Sequence, residues 1–268
     1  MSANVTIVIP ARFASQRYPG KPLAELTGCT GEAKSLIRRS WEAAQRVSGV
    51  SRVLVATDSP EIVEASTAFG AEVIDTSSSC RNGTERCAEV LEGLSEEPDL
   101  VVNLQGDAPL TPAWFVEGLI EAMLADPDLA VATPVVRVGR DLHAKLEADE
   151  RKGIVGGTFA VATAAGRAHY FSKRMIPHFD IGRIDGDQLP LFLHIGLYAY
   201  RPAALRAYAA AQPSELEQLE GLEQLRFLDL GMPIRIVEVA SPDWEIWELN
   251  NPSDIPHIEK ALQIMGVE

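Results

Sequence analysis

The 268-residue chain carries 24 Lys and Arg against 38 Asp and Glu, a net charge of −14, and 46% of it is hydrophobic. That size and apolar content suit one large α/β domain, and the acidity excludes a general nucleic-acid binder, which needs a basic face. No run of about 18 apolar residues predicts a membrane span, no basic-then-apolar leader opens the chain, and the three irregularly spaced cysteines, Cys29, Cys80 and Cys87, point to reduced thiols and a cytoplasmic protein rather than a disulfide framework or a metal cluster.

The β-branched run from Val5 to Ile9, stopped by Pro10, predicts a buried parallel strand. The loop that follows carries Arg12, Arg17 and Lys21, with Ser15, Gly20 and the prolines 19 and 22. It leaves the carboxyl end of its strand, where open α/β sheets bind ligands. Three cations on a short, stiff loop repel one another, and a polyanion relieves that repulsion; the plainer reading is a solvated loop. The loop is neither a Walker A sequence nor a G-x-G-x-x-G fingerprint.

Residues 23–31 read as a turn-rich connection. Leu36, Ile37, Trp41 and Ala44 fall at helical spacing. A second strand over 52–58 ends in Asp58, which either orients a ligand or caps the helix beginning at Ser59-Pro60. A third strand covers 72–75. This alternation predicts an α/β fold with a doubly wound, mostly parallel sheet. Thr84 is the expected N-cap of a helix running to about residue 94, and the strand 100–104 runs into Gln105-Gly106-Asp107. Asp107 there either holds a hard cation or satisfies its own turn. Further on, a helix over 113–124 and a strand over 129–136 are expected. Residues 154–161 read as strand and turn, 180–188 as a loop, and His194 to Tyr200 as one strand. His194 is either a satisfied core residue or a ligand contact. Residues 214–226 read as one amphipathic helix with Leu216, Leu219, Leu222 and Leu225 towards the core. A late strand covers 233–239.

The string Ile9-Pro10-Ala11-Arg12, Ser15, Arg17, Pro19-Gly20-Lys21-Pro22 resembles the signature of the CMP-sugar synthetases, above all the CMP-Kdo synthetase family of 3-deoxy-manno-octulosonate (Kdo) cytidylyltransferases. Later motifs follow in the family's order over nearly the whole chain. The resemblance implies one nucleotidyltransferase domain over 1–268 of nucleotide-diphospho-sugar transferase type, with a smaller antiparallel region near 165–215 serving substrate and dimerisation. It implies that CTP is held by Pro10, Ala11, Arg12, Ser15, Arg17 and Lys21, with Asp58 and Gln105. It places the sugar acid against Arg86, Gln105, Lys173, His194, Tyr198, Glu223 and Gln224. Mg²⁺ is expected on Asp107 and Asn250, and the catalytic set is Arg12, Lys21 and Asp107. The implied reaction joins CTP and a 2-keto-3-deoxy sugar acid, Kdo first, into a CMP-sugar for lipopolysaccharide synthesis, in a homodimer without nucleic-acid or membrane partners.

Four positions depart from the family pattern. Ala108 stands where relatives have Glu, and the connection through 29–34 is longer. Lys173 replaces an Arg and cannot copy its bidentate grip on a carboxylate. Asn250 replaces the Asp of the Asp-Thr-Pro-x-Asp motif, and Glu248 is a nearby acid to which the sequence assigns no role. A sister cytidylyltransferase for another acidic sugar, or a non-catalytic CTP-binding protein, are the alternatives.

Overall fold

In the computed structural model, which describes residues 3–15 and 17–268, the apolar β-branched runs become strands and the amphipathic stretches wrap them. In chain order the elements are β1 (Val5–Pro10), β2 (Glu25–Thr27), β3 (Ala33–Ser35), α1 (Leu36–Gln45), β4 (Arg52–Thr57), α2 (Pro60–Ala68), β5 (Glu72–Asp75), α3 (Gly83–Gly93), β6 (Leu100–Leu104), α4 (Ala113–Ala125) and β7 (Val131–Gly139). There follow α5 (Arg140–Arg151), β8 (Thr158–Ala162), β9 (Ala168–Ser172), β10 (Gln188–His194), β11 (Leu197–Tyr200), α6 (Pro202–Ala210), α7 (Glu215–Glu220), α8 (Leu225–Asp229), β12 (Ile234–Glu238) and α9 (Ile255–Met265).

The main sheet runs β5-β4-β1-β6-β11-β7-β10-β8-β9, with β12 also on β7. The strands β5, β4, β1 and β6 are parallel to their neighbours. From β6 to β11 and on through β7, β10, β8 and β9 successive pairings are antiparallel, while β12 lies parallel to β7. The α/β class with its parallel sheet is thus as the alternation predicts, and the antiparallel strands form the second half. Successive residues of β1 face opposite layers, as a pleat requires. Val5, Ile7 and Ile9 pack with Ile37 of α1 and Phe115 of α4, while Val8 packs with Val90 of α3 and Leu205 of α6. Helices on both faces explain why the strand is apolar throughout, each buried side chain contributing about 1.5–3 kcal/mol.

Four expectations are corrected. Part of the connection over 23–31 is a strand, β2, which pairs with β3 as a small antiparallel ribbon. The N-cap of α3 is Asn82, whose side chain accepts from Glu85 N–H; Thr84 instead turns its hydroxyl to Tyr200. The strand expected over 194–200 is broken at Ile195-Gly196. Its two pieces, β10 and β11, lie along β7, the first also meeting β8 and the second β6. The helix expected over 214–226 is two helices, separated by Gly221 at φ 63°, a left-handed conformation that ends α7. Leu222 and Leu225 are buried, but Leu216 and Leu219 are 44% and 75% exposed.

Candidate active site

The loop after β1 begins where Ala11 N–H donates to Ala56 O of β4, which ties it to the sheet. It folds on Phe13, whose carbonyl accepts from Ser15 and Gly20 N–H at 3.0 Å each. Gly20 sits at φ 71°, which L side chains rarely adopt, and then Lys21 starts a short 3-10 turn. This turn aims the Lys21 ammonium across the end of the sheet. There it meets the Asp107 carboxylate at 2.5 Å.

Asp107 is set by the turn leaving β6. Gly106 lies so close to β1 that a Cβ would stand 2.7 Å from Pro10 O, so only glycine lets the two loops touch. Ser40 of α1 donates to Gly106 O, and Leu249 N–H donates to Asp107 O. The Asp107 side chain therefore serves Lys21 rather than its own turn.

A cleft of about 210 Å³ opens between these loops. The β1 loop lines it with Pro10, Ala11, Arg12, Ser15, Arg17 and Lys21, and the β6 turn with Gln105, Gly106 and Asp107. Asn82, Gly83 and Arg86 close it from the start of α3, and Asn250 from the chain's late loop. Arg17 Nη2 donates to Asn250 Oδ1 at 2.7 Å, so that amide oxygen is occupied by a cation. Four basic side chains on one cleft of a protein with net charge −14 make a local positive field fit for phosphates.

Asp58 does not cap α2, whose N-cap is Ser59. Its carboxylate accepts from Arg86 Nη2 at 3.1 Å, and Thr76 Oγ1 accepts from Nη1. Asp58 thus stands behind Arg86 and fixes how that guanidinium meets the cleft.

The antiparallel half forms a separate wall beside the start of α3, and its candidate residues His194, Tyr198, Glu223 and Gln224 are not among those lining the cleft. Thr133 Oγ1 donates to Leu197 O at 2.8 Å, so its 2.8 Å contact with His194 needs the ring Nε2 to carry the hydrogen. Nδ1 is left as the acceptor. Burial pulls His194 down to about 3, and the imidazole is neutral. Tyr198 OH donates to Gln224 Oε1 at 3.0 Å, while the buried Gln224 Nε2 has no partner among the described residues. The Glu223 carboxylate accepts from Thr84 N–H at the start of α3, and burial raises its pKa.

Sequence reasoning missed what holds this wall. Arg226 is 1% exposed and donates to Glu217 through both Nε and Nη2, at 2.6 and 2.5 Å, and to Glu85 at 3.1 Å. It anchors the segment carrying Glu223 and Gln224. Nothing but its place in the Leu-Glu-Gln-Leu-Arg run marked it. Lys173 is not brought to the cleft. It lies exposed beside Gly221 in a separate hollow of about 140 Å³ with Glu150 and Met175.

Glu248 was also missed. The residue as a whole is exposed, but its carboxyl is recessed among protein atoms beside Asp107. That burial and the Asp107 charge push it up to about 7. Among the described residues no group of three or more His, Cys, Asp or Glu converges as a metal cage. One or two carboxylates beside a phosphate cradle are nonetheless the donor set that Mg²⁺ uses, since it keeps several waters and takes its other oxygens from phosphate.

A doubly wound sheet whose cationic loop faces a carboxylate across one cleft has the architecture of a nucleotidyl-transferring α/β enzyme. The chain belongs to the cytidylyltransferases, whose family description matches residues 6–234. The 3-deoxy-manno-octulosonate cytidylyltransferase of Maricaulis maris is 41% identical over 98% of both chains. The mitochondrial enzyme of that name from Arabidopsis thaliana is 36% identical, over 97% of this chain and 84% of its own. A solved CMP:2-keto-3-deoxy-manno-octonic acid synthetase complexed with CTP superposes with a TM-score of 0.81 at 35% identity, over 98% of each chain. A 4-diphosphocytidyl-2C-methyl-D-erythritol synthase from Anaerococcus prevotii, 12% identical with a TM-score of 0.58, shares the fold over 98% of this chain and 97% of its own.

Proposed function

We propose that the protein is a Kdo cytidylyltransferase, joining CTP and Kdo to give CMP-Kdo and pyrophosphate for lipopolysaccharide synthesis. The observation that carries this is the Lys21–Asp107 contact inside a cleft shared with Arg12, Arg17 and Arg86. Full-length similarity to Kdo cytidylyltransferases supplies the choice of sugar.

In this reading the sugar's anomeric hydroxyl attacks the α-phosphorus of CTP and releases its proton to solvent. The new O–P bond forms as the bond to the bridging oxygen breaks, and that electron pair leaves on pyrophosphate. Such transfer needs position and charge neutralisation rather than a covalent nucleophile. Arg12, Arg17 and Lys21 neutralise the leaving pyrophosphate. Pro10, Ala11, Ser15 and Gln105 hold the nucleotide against the loop, and Asp58 keeps Arg86 in place. His194 Nδ1, Tyr198, Glu223 and the open Gln224 donor orient the sugar; Lys173, which lies in a separate hollow, takes no part in this reading. A divalent cation, Mg²⁺ in this proposal, is held at Asp107 and supplies positive charge to the phosphate oxygens when bound.

The chain works as one domain over 1–268, with the 165–215 region serving substrate and dimerisation. It acts as a cytoplasmic homodimer without nucleic-acid or membrane partners; no helix among the described residues is long and apolar enough to cross a membrane. Pyrophosphate release from CTP is the test, run against a panel of 2-keto sugar acids with Mg²⁺. Turnover with Kdo is expected. Turnover with another sugar acid and none with Kdo moves the assignment to a sister enzyme, and tight CTP binding without turnover makes the protein a binder.

A further inference from the structure

The residue at the motif's usual acidic position is already engaged. Asn250 gives its Oδ1 to Arg17, and its amide lies alongside the Glu248 carboxylate. The other acid of the motif is engaged too. Asp254 Oδ2 accepts from Asn250 N–H at 2.9 Å and Asn251 N–H at 2.7 Å, capping the turn that starts α9.

Glu248 is placed differently. The buried Leu249 packs with Leu26, Ile258 and Leu262, and its N–H is fixed to Asp107 O at 3.0 Å. The next residue, Asn250, lines the cleft. Glu248 Oε1 comes within 3.6 Å of where a Cβ on Gly196 would stand. Gly196 belongs to the break between β10 and β11, next to the wall that carries His194 and Tyr198. The carboxylate therefore stands at the seam between the phosphate loop and the sugar wall. Lys21 makes its ion pair with Asp107, and among the described residues Glu248 has no ion pair of its own. The two nearest cations are already engaged, Lys21 by Asp107 and Arg17 by Asn250, so the Glu248 carboxylate is free to meet a hard dication.

We propose that Glu248, rather than Asn250, supplies the second acidic ligand of the divalent cation held at Asp107. Asn250 acts as a clip that steadies Arg17 on one side and Glu248 on the other. The inference rests on the nucleotidyl-transfer reading of the cleft, since the remaining oxygens are those of the nucleotide phosphates.

The test is a binding measurement that needs neither sugar nor turnover. Mn²⁺ is titrated into the full-length protein with a non-hydrolysable CTP analogue present, followed by calorimetry and by the electron-spin signal of free Mn²⁺. Glu248→Gln should weaken Mn²⁺ by at least about tenfold, the scale on which a lost metal partner shows, with Glu248→Asp recovering part of the loss. Asn250→Ala should leave Mn²⁺ affinity within about threefold of wild type, below that scale, while weakening the analogue through the freed Arg17. Thermal melts of each variant without ligand establish that it is folded, and Glu248→Asp carries the test if Glu248→Gln is not. Wild-type Mn²⁺ affinity in a folded Glu248→Gln overturns the proposal, as does an equal loss in Asn250→Ala. Failure of the Kdo assignment shows separately, as absent pyrophosphate release from wild type that still binds Mn²⁺ and the analogue.

Discussion

His194 gives the protein a stability term that depends on pH in a calculable way. An imidazole in the unfolded chain titrates near 6.5, whereas burial holds the folded one at about 3. Between those values the unfolded state binds a proton that the folded state refuses, so stability rises with pH through this window and is lost as pH falls below 6.5. At about 1.36 kcal/mol per pH unit, lowering the pH from 8 to 5 removes about 2 kcal/mol through this residue alone. Glu223, whose pKa burial raises, acts with the opposite sign above the ordinary carboxylate range, so the whole-protein slope mixes both. The assay is therefore a difference. Urea unfolding of wild type and His194→Gln is followed from pH 8 to 5, and the variant, which has no imidazole to charge, should lose about 2 kcal/mol less. In melting experiments this is a gap of about 4–8 °C that opens on acidification. Parallel profiles would refute a buried, neutral His194, and with it the assignment of Nδ1 as an acceptor towards the sugar.

Other outcomes follow from the same geometry. Arg226→Met leaves Glu217 and Glu85 without their buried partner and should cost about 3–5 kcal/mol in urea unfolding, whereas the double variant with Glu217→Gln should recover part of the loss. Lys21→Met should lower kcat/KM by about 10² or more through lost charge neutralisation, with the fold intact by circular dichroism. Gln224→Leu removes the open donor and should raise KM for the sugar acid about tenfold while leaving KM for CTP unchanged in steady-state assays. Gly106→Ala drives a Cβ to 2.7 Å from Pro10 O, and nucleotide affinity by calorimetry should fall because the two loops must part.

The nucleotide half was readable because its signals are local. A β-branched run, a proline and three cations lie within 18 residues of one another, from Val5 to Pro22, and a parallel strand delivers such a loop to the sheet's end without help from distant residues. Asp107 is ambiguous in sequence between a cation site and its own turn, until its carboxylate is seen on Lys21. The sugar half depends on long-range facts. Leu216 and Leu219 sit at helical spacing, yet the helix ends at Gly221 and α8 is turned by the buried Arg226–Glu217 bridge, whose polar residues look like a solvated face in sequence. Asp58 could not be separated from a cap until Arg86 was seen beside it. Glu248 lies two residues from a recognisable motif, but its neighbour across the cleft is 141 positions away, and no local pattern announces such a pair.

β6 is hydrogen-bonded parallel to β1 on one side and antiparallel to β11 on the other. The strand that delivers Asp107 is therefore stitched by backbone ladders to the strand that feeds the cationic loop and to the strand that carries Tyr198. Such a joint is mechanically stiff: it admits no hinge between the nucleotide side and the sugar side, because rotating one against the other would tear a row of main-chain bonds. The cleft is lined instead by loops, among them Ala11, Arg12, Ser15 and Arg17 after β1 and Asn250 before α9.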